Sequence, residues 1–482
     1  MRNSLSKNSI FYLIYNVLNV IFPFLTAIYV ARILLPADIG QVETAKNLAQ
    51  YFVIFSFLGI PTYGLREISK KRSNQKELNE LYTELMVINT ISTTFFLILY
   101  FLTVFLVPAY REKFIFFLIT GILVGLNYIN NAWLFEGMEK FEYISIRNLC
   151  FKAVSFLFLI VFVRDSSDYL AYALITVVGT AGNYILNIIT SRKIVQLDFS
   201  HLNLKQHMKS IAFLVVVNLA IEIYSLVDVT MLGLMCSKKT VAYYTYGIRI
   251  QQILLQIINT FTMVLVPRIA LYYSDKRINE YNCLLTKTFD VINILALPIV
   301  IGTFFIGGPL MTMLFGAEYY RSSIVLKILI PVIYIAPIGY LLGSRVMLVT
   351  GHENKMIIPV ISGAIINVIG NLLFIPRFQE AGAAMASIGS EIVVTTVYLI
   401  LSHQFYKLDY CTIKKTISKV LISLLVMTCI LSIFKGLNKF SMGEILLQTG
   451  IAGGVYFSLL LILKEPIVYS YFEIFKERLK NR

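Results

Sequence analysis

Four polar residues near the start of an otherwise apolar stretch, Glu43, Lys46, Asn47 and Gln50, fall at positions i, i+3, i+4 and i+7 of a helix. That spacing gathers them on one stripe. The stretch 39–66 is about 25 residues long, enough to cross a bilayer, and a lysine inside it is costly unless it meets water, a ligand or a counter-charge. Two readings fit. In one, neighbouring helices enclose a water-filled or ligand-filled cavity against the stripe, making Lys46, Glu43, Asn47 and Gln50 candidates for ligand contact. Alternatively, Lys46 snorkels outward or pairs with Glu43 across one turn. The pattern returns at 241–268, which also opens on polar and aromatic residues, carries one basic residue, Arg249, in its second or third turn, and places Pro267 where the first stretch has Pro61. An offset of about 200 residues is what two fused six-helix bundles produce.

The elements that must hold these residues are membrane spans. The 482 residues are 57% hydrophobic and 14% charged, with mean hydropathy +0.75; a soluble domain is about one quarter charged. The expected fold is an all-α polytopic membrane protein of roughly fourteen spans, near 9–31, 40–65, 83–107, 114–135, 146–163, 168–190, 210–234, 241–267, 287–315, 323–349, 357–376, 381–402, 417–435 and 444–464. The expected organisation is an N-terminal six-helix lobe at 1–200, a second at 201–403, and two additional spans with a basic tail at 404–482. An offset of six spans is even, so the lobes form a parallel pseudo-repeat about the membrane normal.

Lysine and arginine are distributed unevenly, roughly 29 on the side of the N-terminus against roughly 12 on the other, which puts both termini in the cytoplasm. The net charge of +15 then reports topology and contact with anionic headgroups rather than nucleic acid. The first apolar run is too long for a signal peptide and no small-residue cleavage site follows it, so it reads as a retained span. Cys150, Cys236, Cys283, Cys411 and Cys429 are isolated, and His201, His207, His352 and His403 sit in polar connections, so no metal site is expected. Connections are short, and no GxxxxGK[ST] occurs. No catalytic residue is therefore assigned, and the chain does not read as an enzyme. The lone Trp133, at the end of the fourth span, reads as an interfacial anchor. Prolines within spans, such as Pro298 and Pro337, read as kinks or as packing features.

The segments AIYVARILLPADIGQVETA, WLFEGMEKFEYISIRN at 133–148, VDVTMLGLMCSKKTVAYYTYGIRI at 227–250 and NVIGNLLFIPRFQEAGAAMAS at 367–387 together resemble the polysaccharide-transporter or Wzx-like flippases. These belong to the multidrug/oligosaccharidyl-lipid/polysaccharide exporter superfamily. The resemblance implies two bundles around a central cationic cavity open to each side in turn, in a bacterial cytoplasmic (inner) membrane. It implies a cargo of undecaprenyl-pyrophosphate-linked oligosaccharide for surface polysaccharides such as exopolysaccharide or O-antigen. Its partners would be that lipid-linked substrate, membrane lipids and other polysaccharide-assembly proteins; the two-lobed repeat, for its part, makes a functional monomer the simpler expectation. Lys46 and Arg249 match positions where lipid II flippases carry basic residues on the second and eighth helices.

Asp228, Asn367, Asn371 and Ser387 resemble a sodium site of those flippases, although Asn371 stands where an acid is expected. Glu222 and Glu391, further acids within spans, offer a proton-coupled route instead. No organic cofactor is expected, and coupling to Na+ or H+ is left open. Asp228 can equally serve as a counter-charge for Arg249. A drug or metabolite exporter of the same superfamily is the alternative function, distinguished by an acidic cavity; a membrane polymerase or glycosyltransferase is a more distant one.

Overall fold

The computed structural model describes residues 19, 21–200, 202–263, 265–434 and 442–480, without the side chains of 213–225, 442 and 478–480. Among the described residues there is no strand. Among the described residues eleven helices are long and apolar enough to span a membrane, and three shorter apolar ones, Ile21–Ile33, Phe114–Ile129 and Leu226–Met235, accompany them. The all-helical, many-span fold expected from the sequence is thus observed. Large apolar side chains such as Ile98, Phe105, Leu425 and Ile433 point outward from these helices, as lipid contact requires. The chain packs as two compact units, Met1–Ala242 and Tyr243–Arg482.

The first unit contains α1 (Ile21–Ile33), α2 (Pro36–Phe57), α3 (Ile60–Lys71), α4 (Gln75–Leu106), α5 (Phe114–Gly125), α6 (Phe141–Phe162), α7 (Tyr169–Ser191), α8 (Lys205–Met235) and the first residues of α9 (Lys238–Met263). Pro36 starts α2 because its fixed φ suits the first turn and its missing N–H is not needed there. Leu58 and Gly59 end α2 in the left-handed conformation, and Pro61 restarts the chain as α3. The Asn74 side chain caps α4 by accepting the amides of Lys76 and Glu77.

One core of this unit joins α3, α4, the short helix Ala132–Gly137, α6 and α8 around Tyr63, Tyr82, Leu85, Trp133, Phe135 and Ile211. Trp133 is 1% exposed, its ring tilted against Tyr82 at 5.6 Å and seated on Gly64, where no Cβ would fit. The interfacial-anchor reading of Trp133 is therefore corrected. The chain breaks helix after Ile129 and turns the indole inward rather than leaving it at the span's wet end.

Along α2, Gly40, Thr44 and Asn47 meet α8 and the start of α9. A Cβ at Gly40 would stand 1.8 Å from the Lys238 carbonyl oxygen, and Thr44 closes on Gly233. Gly40→Ala should therefore destabilise the protein, although alanine is about 1 kcal/mol the better helix former. Thermal unfolding in detergent checks this; an unchanged midpoint would mean that the contact gives way at no cost.

The second unit continues through α10 (Val266–Ser274), α11 (Ile278–Phe315), α12 (Ser322–Leu329), α13 (Val332–Ile338), a π-helical turn at Gly339–Arg345, α14 (Ile357–Phe378), α15 (Glu380–Ser402), α16 (Tyr410–Phe434), α17 (Met442–Ile462) and α18 (Pro466–Lys480). The two stretches matched by sequence fold alike locally. In each, a long helix (α2, α9) gives way to a short one (α3, α10) with proline in its first two positions. Pro298 and Pro309 lie inside the 38-residue α11. The Tyr456 hydroxyl of α17 donates to the Ile294 carbonyl of α11, and α16 and α17 bury Val420, Met427, Leu460 and Tyr456 against it. Asp409 caps α16: the Thr412 hydroxyl and the amides of Thr412 and Cys411 hold its carboxyl below the usual carboxylate range.

Candidate functional site

The polar stripe of α2 divides between two neighbours in the first unit. Lys46 Nζ lies 3.2 Å from Glu43 Oε1, and the Tyr172 hydroxyl of α7 donates to the same oxygen at 3.4 Å. Lys46 keeps 28% of its side chain accessible, against 11% for Glu43. The one-turn ion pair anticipated as an alternative is thus present, with the Lys46 side chain half-buried. Asn47 turns elsewhere. It is buried, and its Nδ2 donates to Thr230 Oγ1 at 2.8 Å and to the Leu226 carbonyl at 3.2 Å on α8. Its place is a weld between helices. Gln50, one turn on, is exposed.

Sequence reasoning passed over two basic residues of α6. Arg147 is 8% exposed, donates from Nε to Asn183 Oδ1 of α7 at 3.0 Å, and rests on the Tyr143 ring. Lys152 sits near the middle of the 22-residue α6 and donates to Asn19 Oδ1, which also accepts from Asn148 Nδ2 at 2.9 Å. A lysine and an arginine inside one apolar helix were the available signal. A groove of about 620 Å³ opens beside Arg147, lined among others by Glu139, Glu142, Tyr143, Ile146, Phe151 and Leu186. Helices α2, α6 and α7 thus each bring polar groups into spans of the same unit. Lys152→Met should cut transport roughly tenfold if this ammonium meets an anion, while Lys152→Arg keeps most of it, on the scale of one charge-assisted hydrogen bond. Equal activity of the methionine variant would assign Lys152 a packing role.

In the second unit, Arg249 is half-buried on α9, its guanidinium 5.2 Å from the centre of the Tyr246 ring. Asn371 donates to Asn367 Oδ1 at 3.1 Å, both buried on α14. On α15, Ser387 shares a hydrogen bond of 3.1 Å with the Tyr244 hydroxyl, and Glu391, one turn further, is 8% exposed. The π turn at 339–345 packs Gly339 and Gly343 against Thr395 and Tyr398, on the next turns of α15 after Glu391. A π turn inside a helix is a frequent companion of functional sites. Asp228 is buried on α8 of the first unit. The side chain of Glu222 lies outside the described residues.

Comparisons with known proteins match the model of the family described as polysaccharide biosynthesis protein to residues 5–272. Over 407 residues the chain is 22% identical to a protein of Escherichia coli (strain K12) named for O-antigen transport, spanning 82% of this chain and 96% of that one. In fold it matches a structure titled lipid II flippase MurJ, inward closed conformation. The TM-score is 0.67, with 15% identity, over 89% of this chain and 99% of the other. An inward-facing multidrug resistance MATE family transporter of the MOP superfamily matches at TM-score 0.63 and 12% identity, over 80% and 93%. At such identities the structural likeness is one of fold.

Proposed function

The chain belongs to the polysaccharide biosynthesis protein family, and on that premise we propose that it is a flippase for lipid-linked oligosaccharide. Undecaprenyl-pyrophosphate-linked repeat units would be its cargo, carried from the cytoplasmic to the outer leaflet of a bacterial cytoplasmic membrane by alternating access. The observation that carries this reading is the conjunction of a flippase-type fold along nearly the whole chain with basic side chains inside spans of each unit: Lys46 and Lys152 in the first, Arg249 in the second. A pyrophosphate entering a membrane loses its hydration, and fixed ammonium and guanidinium groups in wet surroundings replace it. The polyprenyl tail needs no such replacement and stays in lipid. The carboxamide groups of Asn19, Asn148 and Asn183 suit contact with sugar hydroxyls.

Coupling is proposed on the α14–α15 hairpin. Asn367, Asn371 and Ser387 offer oxygen ligands to sodium, and Glu391 offers a carboxyl to a proton. Asp228, a buried acid of α8 in the first unit, is a separate candidate for coupling. Uptake in vesicles with each gradient imposed separately distinguishes the two, and activity indifferent to both would remove coupling altogether.

The experiment for the function is removal of the protein from its cell. Lipid-linked oligosaccharide should accumulate facing the cytoplasm while surface polymer disappears. Intact polymer with raised sensitivity to small cationic compounds would instead indicate a drug exporter.

A further inference from the structure

The last helix, α18, leaves the membrane-spanning bundle after α17 through Leu463, Lys464 and Glu465. Its first turn is fixed. Glu465 is fully buried and accepts the Val468 amide at 2.7 Å, Ile467 and Val468 pack on the α11–α16–α17 core, and Lys419 donates to the Lys464 carbonyl. From Ser470 to Glu477 every side chain is exposed, and among these are Tyr471 at 70%, Phe472 at 47%, Ile474 at 48% and Phe475 at 61%. At helical spacing Val468, Tyr471, Phe472 and Phe475 share one face, while Ser470, Glu473 and Glu477 occupy the opposite one. Lys476 stands at the border of the apolar face, and the register puts Arg478 at the other border.

This arrangement has one fitting medium. Three large apolar groups, Tyr471, Phe472 and Phe475, left uncovered on one face are unfavourable in water. Basic residues flanking an apolar face, with acids turned away from it, match a helix lying in the headgroup layer, where long cationic side chains reach out to lipid phosphates. The point of departure agrees, since α18 begins where the span α17 ends and is clamped there. We propose that α18 is an interfacial helix seated on anionic phospholipid of the leaflet at which α17 ends, with Tyr471, Phe472 and Phe475 immersed and Lys476 bound to headgroups. Through its clamped first turn, this seating would fix the depth of α16 and α17 in the bilayer.

The test uses the full chain with its five cysteines, four of them exposed, replaced by serine. Nitroxides are placed singly at 472, 475, 473 and 477, in bilayers of phosphatidylcholine with or without phosphatidylglycerol. Labels at 472 and 475 should collide with oxygen and be shielded from a water-soluble nickel chelate, and labels at 473 and 477 should show the reverse. Phosphatidylglycerol should strengthen the contrast, and Lys476→Gln should weaken the seating about fivefold, the effect of one lysine at an anionic surface. Equal chelate access at all four positions would place the helix in water and overturn the proposal. Shielding of 472 and 475 from both reagents would overturn it in favour of a protein partner or a second copy. Seating indifferent to phosphatidylglycerol would overturn the anionic-lipid assignment.

Discussion

Replacing Lys46 and Arg249 together by alanine is expected to abolish polymer export while leaving the protein in the membrane at normal abundance. Each residue offers a charge-assisted hydrogen bond, a contact of about 1.5–3 kcal/mol when one partner is ionised. Single alanine variants should therefore lose roughly ten- to a hundredfold in transport of lipid-linked oligosaccharide into the outer leaflet of vesicles, and the double variant nearly all of it. Lys46→Arg and Arg249→Lys keep the charge and should retain activity within a few fold, with the lysine at 249 the poorer because it gives up stacking on Tyr246 and the planar fork.

Glu43 supplies the decisive control, because Lys46 pairs with it. A one-turn pair on a helix is worth only about 0.2–0.5 kcal/mol. If that pair were the whole role of Lys46, Glu43→Gln and Lys46→Ala would have equally small effects. An anion site predicts that they differ, with the loss confined to Lys46. Wild-type export from the double alanine variant, at matched abundance, would end the cationic-site reading.

What could be read from the chain beforehand followed from how far apart the determining groups lie. Spans were legible because apolar runs of this length leave the backbone little alternative to helix in lipid, and the break between α2 and α3 was foreshadowed by Pro61. The stripe on α2 was legible for the same local reason. Its partners were not: Asn47 bonds Thr230, 183 residues on, and only the tertiary arrangement turns it from the ammonium of Lys46 toward α8. Trp133 failed likewise, since what buries it, Tyr82 and the space at Gly64, comes from other helices. Lys152 was visible as a charge amid Phe151, Phe156 and Phe158, but its neighbour Asn19 belongs to another span. His207, placed by its polar surroundings in a connection, lies inside α8 and is 3% exposed.

Removing the Glu84 carboxylate should produce the largest loss of stability among single changes in the first unit. Glu84 Oε1 accepts the Asn203 amide at 2.7 Å, Gln206 Nε2 reaches both carboxylate oxygens at 3.2 and 3.0 Å, and Oε2 is 2.7 Å from His207 Nε2. The other ring nitrogen of His207 is hydrogen-bonded to the Tyr63 hydroxyl at 2.8 Å. A single buried acid on α4 thus ties the start of α8 to α3 and α4. Glu84→Leu deletes every one of its hydrogen bonds and strands the amide of Asn203, the carboxamide of Gln206 and the imidazole in an apolar setting. Breaking one side of such a buried network costs about 3–5 kcal/mol, against a few kcal/mol regained from leucine burial. Glu84→Gln retains an acceptor for Asn203 and should lose less. Thermal midpoints in detergent, with hydrogen exchange over 202–212, check both. Faster exchange there in Glu84→Leu than in Glu84→Gln is the expected order, and a leucine variant as stable as the parent would show that apolar packing alone holds α8 in place. Export should fall along with that protection, because the segment so held leads into the helix that carries Asp228.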